Sequence, residues 1–485
     1  MLSVLGSSSQ THQGVARREM LRACGAGMLG MSLPRVLAAE ELSPVREARA
    51  KSVLFVFLYG GPSQLETFDM KPDAPSHIRG PFQPITARTP GLRICEHLPR
   101  LADCSNKYAV VRTVNHPQND HNGTHFIQTG RPLPPADRGS ANVAATDKDW
   151  PAIGSVVSYL DSQTRPTSKD RFPPFFYLPR RLGHFAGYDI NGQYGGWLGK
   201  PWSPVATRIE KRNPLDNPFF RDCTDDELDF RIDGLEALPT VTLDRLNRRH
   251  RLLKQFDAQR QLLEAAPGVR NLNAQRQRAI SLLNSPDVAQ AFDLRREPAK
   301  LRDRYGRNLF GQSLLMARRL IDAGTRFVTV AWDMTVRGDD RTSWDSHREL
   351  TRVMKDHLLP VLDRGLPALL ADMSSTGLLD ETLVFVAGEM GRTPSFANRG
   401  SADGRDHWSY CFPCLFAGAG ARGGALYGES DKHAAYPTSD PVSPADLAAT
   451  IYESLGISPD LRIRNSQGQP APLVEDGRPL RDLFT

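Results

Sequence analysis

Continuous apolar runs alternate along this chain with stretches whose apolar positions recur every three or four residues. The run from Ser52 to Tyr59 is unbroken and stops at Gly60-Gly61-Pro62, the pattern of a parallel strand covered on both faces. Residues Lys107 to Arg112 read as a second strand. The segment Ser313 to Asp322 has helical spacing, stops at Gly324, and leads into a strand from Arg326 to Trp332. A further helix over about 348–376 precedes the apolar run Thr382 to Gly388. Ser443, Pro444 and Asp446 cap a last apolar helix that runs to Leu455. Helices alternating with strands predict a central, mostly parallel sheet with right-handed crossovers and helices on both faces.

Two regions break this rhythm. Residues 132–150 are rich in Pro, Ala, Asp and Ser and read as a surface loop. Residues 172–216 are dense in Gly, Pro and aromatics and read as irregular with short strands. Residues 240–300 are helical by period, with Ser285 capping a helix that has Pro286 at its first position. The span 172–300 is therefore expected to form a cap or helical insertion beside the sheet, within one domain covering 40–485.

The first 39 residues are read separately. Arg17-Arg18 open a charged region, a short Ala/Gly/Met/Leu stretch follows, and Val36-Leu37-Ala38-Ala39 supplies small residues for cleavage. This is the layout of a twin-arginine export signal, so a periplasmic or other extracytoplasmic destination is expected. No run approaches the length of a stable membrane span. Taking Arg17, Arg18, Arg22 and Arg35 against Glu19 out of a net charge of +6 leaves +3, too little to identify a partner. The arginines between 245 and 260 share a helical period with Leu243, Leu246, Leu253, Phe256 and Leu263 and lack an aromatic platform. They read as a solvated helix face, and no nucleic-acid partner is expected. Five cysteines remain beyond Cys24, an odd number that excludes a complete disulfide framework. Cys411 and Cys414 have redox or zinc spacing but lie in an apolar strand-like run and read as buried thiols.

Candidate chemistry gathers where the strands end. The run Thr382 to Gly388 delivers Glu389, with Arg392 three residues on, and Gly404-Arg405-Asp406-His407-Trp408 follows. A strand that empties into carboxylate, guanidinium and imidazole is how an α/β sheet displays a site at its carboxyl edge. Asp345, His347, Glu389, Asp406 and His407 offer a metal-ligand set of oxygen and imidazole donors suited to zinc, manganese, calcium or another divalent ion. Asp406 has the alternative role of orienting an imidazole, and Glu389 that of an internal ion pair with Arg392. Asp120, His121 and Arg392 are the candidate catalytic residues, as base, nucleophile or anion clamp. His121 and His125 are four apart and would share a helix face.

The stretches "FLYGGPSQLETFDMKPDAP", "RDRYGRNLFGQSLLMARRLIDAGTRFVTV", "SWDSH", "GEMGRTP" and "GRDHW" resemble the domain of unknown function 1501 family, abundant in planctomycetes, from about residue 50 to the C-terminus. That family looks like a branch of the alkaline-phosphatase and sulfatase superfamily. The resemblance implies a three-layer α/β/α sandwich with a mostly parallel sheet and metals at the strands' carboxyl ends. It also implies a metal-dependent hydrolase of sulfate or phosphate esters, with a sulfated or phosphorylated carbohydrate as partner. The stretch Phe126 to Arg131 resembles the end of the sulfatase nucleophile motif and places Asp120 where the nucleophile would stand, with no hydroxyl or thiol there. The turn Tyr59-Gly60-Gly61 stands where the superfamily's first strand delivers a metal-binding aspartate. These departures leave an alternative, an envelope protein without catalysis that binds a carbohydrate, anion or partner through the same pocket.

Overall fold

The computed structural model describes residues 48–134, 143–164, 172–183, 188–232, 286–333, 340–396 and 403–485. The export segment, the basic stretch between 245 and 260, and most of the helical block before Pro286 lie outside them.

The sheet is built from β1 (Ser52–Leu58), β2 (Tyr108–Val114), β3 (Phe175–Leu178), β4 (Val205–Arg208), β5 (Arg231–Ile232), β6 (Phe327–Trp332), β7 (Thr382–Ala387), β10 (Phe412–Ala417) and β11 (Leu426–Tyr427). A separate ribbon, β8 (Gly391–Arg392) with β9 (His407–Trp408), lies between β7 and β10 in the chain. The order across the sheet is β11-β2-β10-β7-β1-β6-β3-β4-β5. β1 pairs in parallel with both β6 and β7, and β3 in parallel with β6 and β4, while β10 and β5 run against their neighbours. β1 therefore sits centrally and is buried along its whole length, as its apolar sequence predicts.

Strand alternation makes the three layers. Leu54, Val56 and Leu58 of β1 face a core shared with α5 (Leu309–Asp322) and α6 (Leu359–Ser375), through residues such as Leu314, Leu315, Leu362 and Leu369. Val53, Phe55 and Phe57 face a second core with α2 (Ile153–Thr164) and α7 (Pro444–Ser454), through Val156, Val157, Leu447 and Ile451. A period of two in the strand thus divides one apolar run between two helical layers. The other α-helices of seven residues or more among the described residues are α1 (Gly123–Thr129), α3 (Pro286–Phe292) and α4 (Ala299–Tyr305). No helix of the described residues is long and apolar enough to cross a membrane.

Three local expectations are refined. The helix predicted over 348–376 is interrupted by a π turn, Met354–Leu358, just before α6. Pro360 in the first turn of α6 has no N–H to donate backwards, and the wider turn accommodates that loss. Residues 172–232 do not stand apart from the sheet as a cap, because β3, β4 and β5 continue it outward from β6. Their runs are too short for an apolar period to show, so only pairing reveals them. Cys411 and Cys414 are free, buried thiols, and burial pushes Cys411 up to about 12.

Parallel strands deliver their exits to one edge. β1 ends at Tyr59-Gly60, β7 at Gly388-Glu389, β6 at Asp333, and the chain after β2 runs through His116 to His121. The ribbon β8–β9 folds over the same edge and brings His407 beside Arg392.

Candidate metal centre

Asp345 is the hub of the polar cluster at this edge. Its Oδ1 lies 3.0 Å from His347 Nε2 and 3.1 Å from His407 Nε2, and those two nitrogens are 3.1 Å apart. Its Oδ2 lies 3.2 Å from His121 Nε2, and the Arg392 guanidinium also donates to Oδ1. Asp345 and His347 come from the loop after β6, His407 from β9, and His121 from the turn before α1. Three chain segments far apart in sequence therefore meet at one point.

Glu389 stands one step behind. Both of its oxygens accept from the Gly60 backbone N–H, at 2.9 and 3.0 Å, and Oε1 is 2.9 Å from His121 Nδ1. This geometry explains the glycine turn after β1. Gly60 has φ +109, and a Cβ there would lie 2.2 Å from the Asp345 backbone nitrogen. No side chain can occupy the end of β1, and the carboxylate found there comes from β7 instead. His116, buried, has Nε2 2.7 Å from the Glu389 carbonyl oxygen, while its Nδ1 accepts from the Gln118 N–H at 3.3 Å. It holds the backbone that presents Glu389.

The electrostatics follow from this packing. Burial alone would lower the His121 imidazole, but Asp345 and Glu389 outweigh it and push the pKa up to about 10. Geometry agrees, since both ring nitrogens face carboxylates and only an imidazolium donates from both. Burial would raise Asp345, but His121 and Arg392 hold it well below the usual carboxylate range. Burial lowers His407 to about 4, leaving it neutral with Nε2 turned to the centre.

The fit to a divalent ion is good. His347 Nε2, His407 Nε2 and Asp345 Oδ1 form a triangle with edges of 3.0 to 3.1 Å. Ligand atoms about 2.0–2.1 Å from a tetrahedral ion are roughly 3.3 Å apart, close to that spacing. His121, Asp345 and His407 also bring one ligand atom each within 4.8 Å of one another. The Asp406 carboxylate lies behind the His347 ring with Oδ1 2.8 Å from Nδ1, an ion-pair contact and not a hydrogen bond, so it places negative charge beside a ligand imidazole. Formal charge points the same way. Asp345, Glu389 and Asp406 carry three negative charges against the positive Arg392 and His121, a deficit of one that favours a cation.

Of the residues proposed from sequence, His121, Asp345, His347 and His407 meet directly, with Glu389 and Asp406 each behind one histidine. Asp406 contacts His347, not its chain neighbour His407. Arg392 pairs with Asp345 instead of Glu389. It is fully buried, and its donors are also spent on the carbonyls of Gly60, Gly61 and Arg405, so it braces the site and does not clamp a substrate. Asp120 accepts from the Asn122 N–H and the Gln118 side chain, both at 2.8 Å, and so shapes its own loop. His125 does not share a face with His121, because α1 begins only at Gly123. It is fully buried with neither ring nitrogen hydrogen-bonded, and burial lowers it to about 4. Gly60 and Arg405 lie in motifs read from the sequence, but their bracing roles, and those of His116 and Glu66, appear only in the structure. Arg405 meets Glu66 at 3.0 and 2.6 Å and donates to the carbonyls of Ile78 and Thr393. The GRDHW motif, which includes Arg405, was one available signal.

No curated protein matches the chain. Among solved structures, a phosphonate monoester hydrolase from Silicibacter pomeroyi is similar at 14% identity and TM-score 0.38, over 90% of this chain and 76% of that chain. Lipoteichoic acid synthase LtaP from Listeria monocytogenes is similar at 10% identity and TM-score 0.38, over 91% and 80%. The PsFucS1 sulfatase from Pseudoalteromonas sp. is similar at 11% identity and TM-score 0.35, over 87% and 71%. Likeness at this level assigns no role to any residue here. The family described as "Protein of unknown function (DUF1501)" matches residues 50–484, nearly the whole chain, and includes every side chain of the centre, so the protein belongs to that family.

Proposed function

We propose that this protein is an exported, metal-dependent hydrolase of sulfate or phosphate esters. The observation that carries the reading is the triangle of His347 Nε2, His407 Nε2 and Asp345 Oδ1. These three residues would hold the ion, which when bound supplies Lewis acidity toward an ester oxygen.

The protein's own groups supply proton handling and order. His121 is the residue that holds a transferable proton, placed between Glu389 and Asp345 and only partly covered. It is the candidate general acid for a leaving alkoxide, and Glu389 keeps its ring oriented. Asp406 places its charge beside the His347 ring, and Arg392 keeps Asp345 ionised and turned inward. No side-chain nucleophile is assigned, so water is the attacking group in this reading.

The second reading, binding without turnover, is favoured by one feature. Arg392 and His121 already satisfy both oxygens of Asp345 within the protein. The two readings part on a single experiment. Elemental analysis of the purified protein and assays with aryl sulfates and aryl phosphates should show about one divalent ion per chain and turnover. Both should be lost in His347→Ala and His407→Ala. Failure to load any divalent ion at neutral pH would overturn the metal reading, and loading without turnover of either ester class would favour binding.

A further inference from the structure

We infer that Trp408, Tyr410 and Tyr436 form a carbohydrate-binding shelf next to the metal centre. The inference deepens the ester-hydrolase reading by naming the part of the substrate that is bound, but the binding itself does not depend on turnover. Trp408 meets both tyrosines edge to face, and the two tyrosines are tilted by 37° to one another. Centroids are 5.0 Å apart for Trp408–Tyr410, 5.5 Å for Trp408–Tyr436 and 6.0 Å for Tyr410–Tyr436. Tyr410 and Tyr436 are 36% and 52% exposed, two of only four large apolar side chains left open among the described residues. A solvent-facing aromatic face with phenol groups at its rim matches a pyranose ring, which offers C–H bonds on its faces and hydroxyls at its edge.

The shelf is tied to the centre twice. Trp408 follows His407 in β9, so one side chain turns to Asp345 and the next to the opposite face of the ribbon. The buried Gln64 amide accepts from the Arg392 N–H at 2.9 Å and donates to the carbonyls of Arg392 at 2.8 Å and Ala434 at 3.0 Å. One side chain thereby links the strand beside the metal centre to the loop that carries Tyr436.

That loop is held in shape before any ligand arrives. Asp431 Oδ1 accepts from the N–H groups of His433 and Ala435, both at 2.9 Å, and the Asp431 N–H donates to the Tyr436 carbonyl at 2.9 Å. Trp408 Nε1 donates to the Ala435 carbonyl at 2.6 Å. Ala434 has φ 53, a backbone state that non-glycine residues adopt at a cost and that persists only when its surroundings enforce it. Rigid presentation of exposed rings reduces the ordering cost of binding. Exposed Lys432 on the same loop adds a cation for an acidic substituent.

The test uses the purified protein with chondroitin sulfate and carrageenan tetrasaccharides, each with its desulfated form, titrated by calorimetry. Tyr410→Ala and Tyr436→Ala are the variants, chosen because both side chains are exposed and the fold does not rest on them. Thermal melting and metal content should match wild type. At least one tetrasaccharide should bind wild type, and its affinity should fall about tenfold or more in each variant. Equal affinities in wild type and both variants, or no binding of any tetrasaccharide at millimolar concentration, would overturn the inference. Turnover of small aryl esters is measured in the same samples. Tyrosine-dependent glycan binding without turnover would leave the shelf standing and remove the hydrolase reading.

Discussion

Replacing Asp406 with asparagine separates the electrostatic role of this carboxylate from the folding of the site. Asp406 lies 2.8 Å from His347 Nδ1, while His347 Nε2 faces Asp345 and His407. Asparagine keeps the shape but removes the negative charge beside Nδ1, so the ring loses basicity. Loss of such a partner typically lowers metal affinity about 10- to 100-fold, or roughly 1.4 to 2.7 kcal/mol. The Asp406 side chain is 31% exposed, so the pair contributes less than about 1 kcal/mol to folding and the variant should unfold with a near wild-type midpoint. Competition against a zinc chelator of known affinity measures the first quantity, and urea unfolding of the metal-free protein the second. The double variant with His347→Ala should bind metal no more weakly than His347→Ala alone, because the carboxylate acts through that ring. An unchanged affinity in Asp406→Asn, or full additivity in the double variant, would refute the reasoning.

Other outcomes follow from the same contacts. Glu66→Gln leaves the fully buried Arg405 guanidinium without its carboxylate and should cost about 3 kcal/mol or more, read as a lower urea midpoint at unchanged slope. Gly60→Ala forces a Cβ against the Asp345 backbone at positive φ; it should destabilise by more than about 1 kcal/mol and abolish metal loading, checked by unfolding and elemental analysis. Stability of the metal-free protein should peak near pH 6.5. His116, His125 and His407 are lowered to about 4, so their contribution is complete above 6.5 and lost as pH falls toward 4. His121 is raised to about 10, so its contribution is complete below 6.5 and lost as pH rises through 10. Unfolding midpoints across pH 4 to 10 test this, and a monotonic curve over that range would contradict it. Restoring metal to the stripped protein should weaken as pH falls toward 4, because protons then compete for the His407 imidazole.

The sheet was legible because its physics is local. Strands such as Ser52–Leu58 and Thr382–Ala387 are buried on both faces, so they appear as unbroken apolar runs, and the helix Leu309–Asp322 shows its apolar stripe at helical spacing. The short strands at 175–178, 205–208 and 231–232 could not be placed in the sheet from sequence, since four residues or fewer set no period. At the site, the residue types were readable from Asp345, His347, Glu389 and His407, which lie where strands end. Which carboxylate serves which histidine was not. Asp406 is adjacent to His407 in the chain yet contacts the far side of the His347 ring, which the loop after β6 brings to the same edge.

By itself the sequence determined the alternation of helices and strands, the edge at which the polar residues would emerge, and the family. Each depends on patterns within a few tens of residues, which the chain carries wherever it is placed. Only the tertiary structure decided that Arg392 spends its charge on Asp345 inside the protein and that a glycine at the end of β1 makes room for a carboxylate from β7. It also decided that Asp120 stays in its own loop while His121 enters the centre. The contacts across the site join segments 47 to 329 residues apart, and close packing at that range leaves no mark on local residue order.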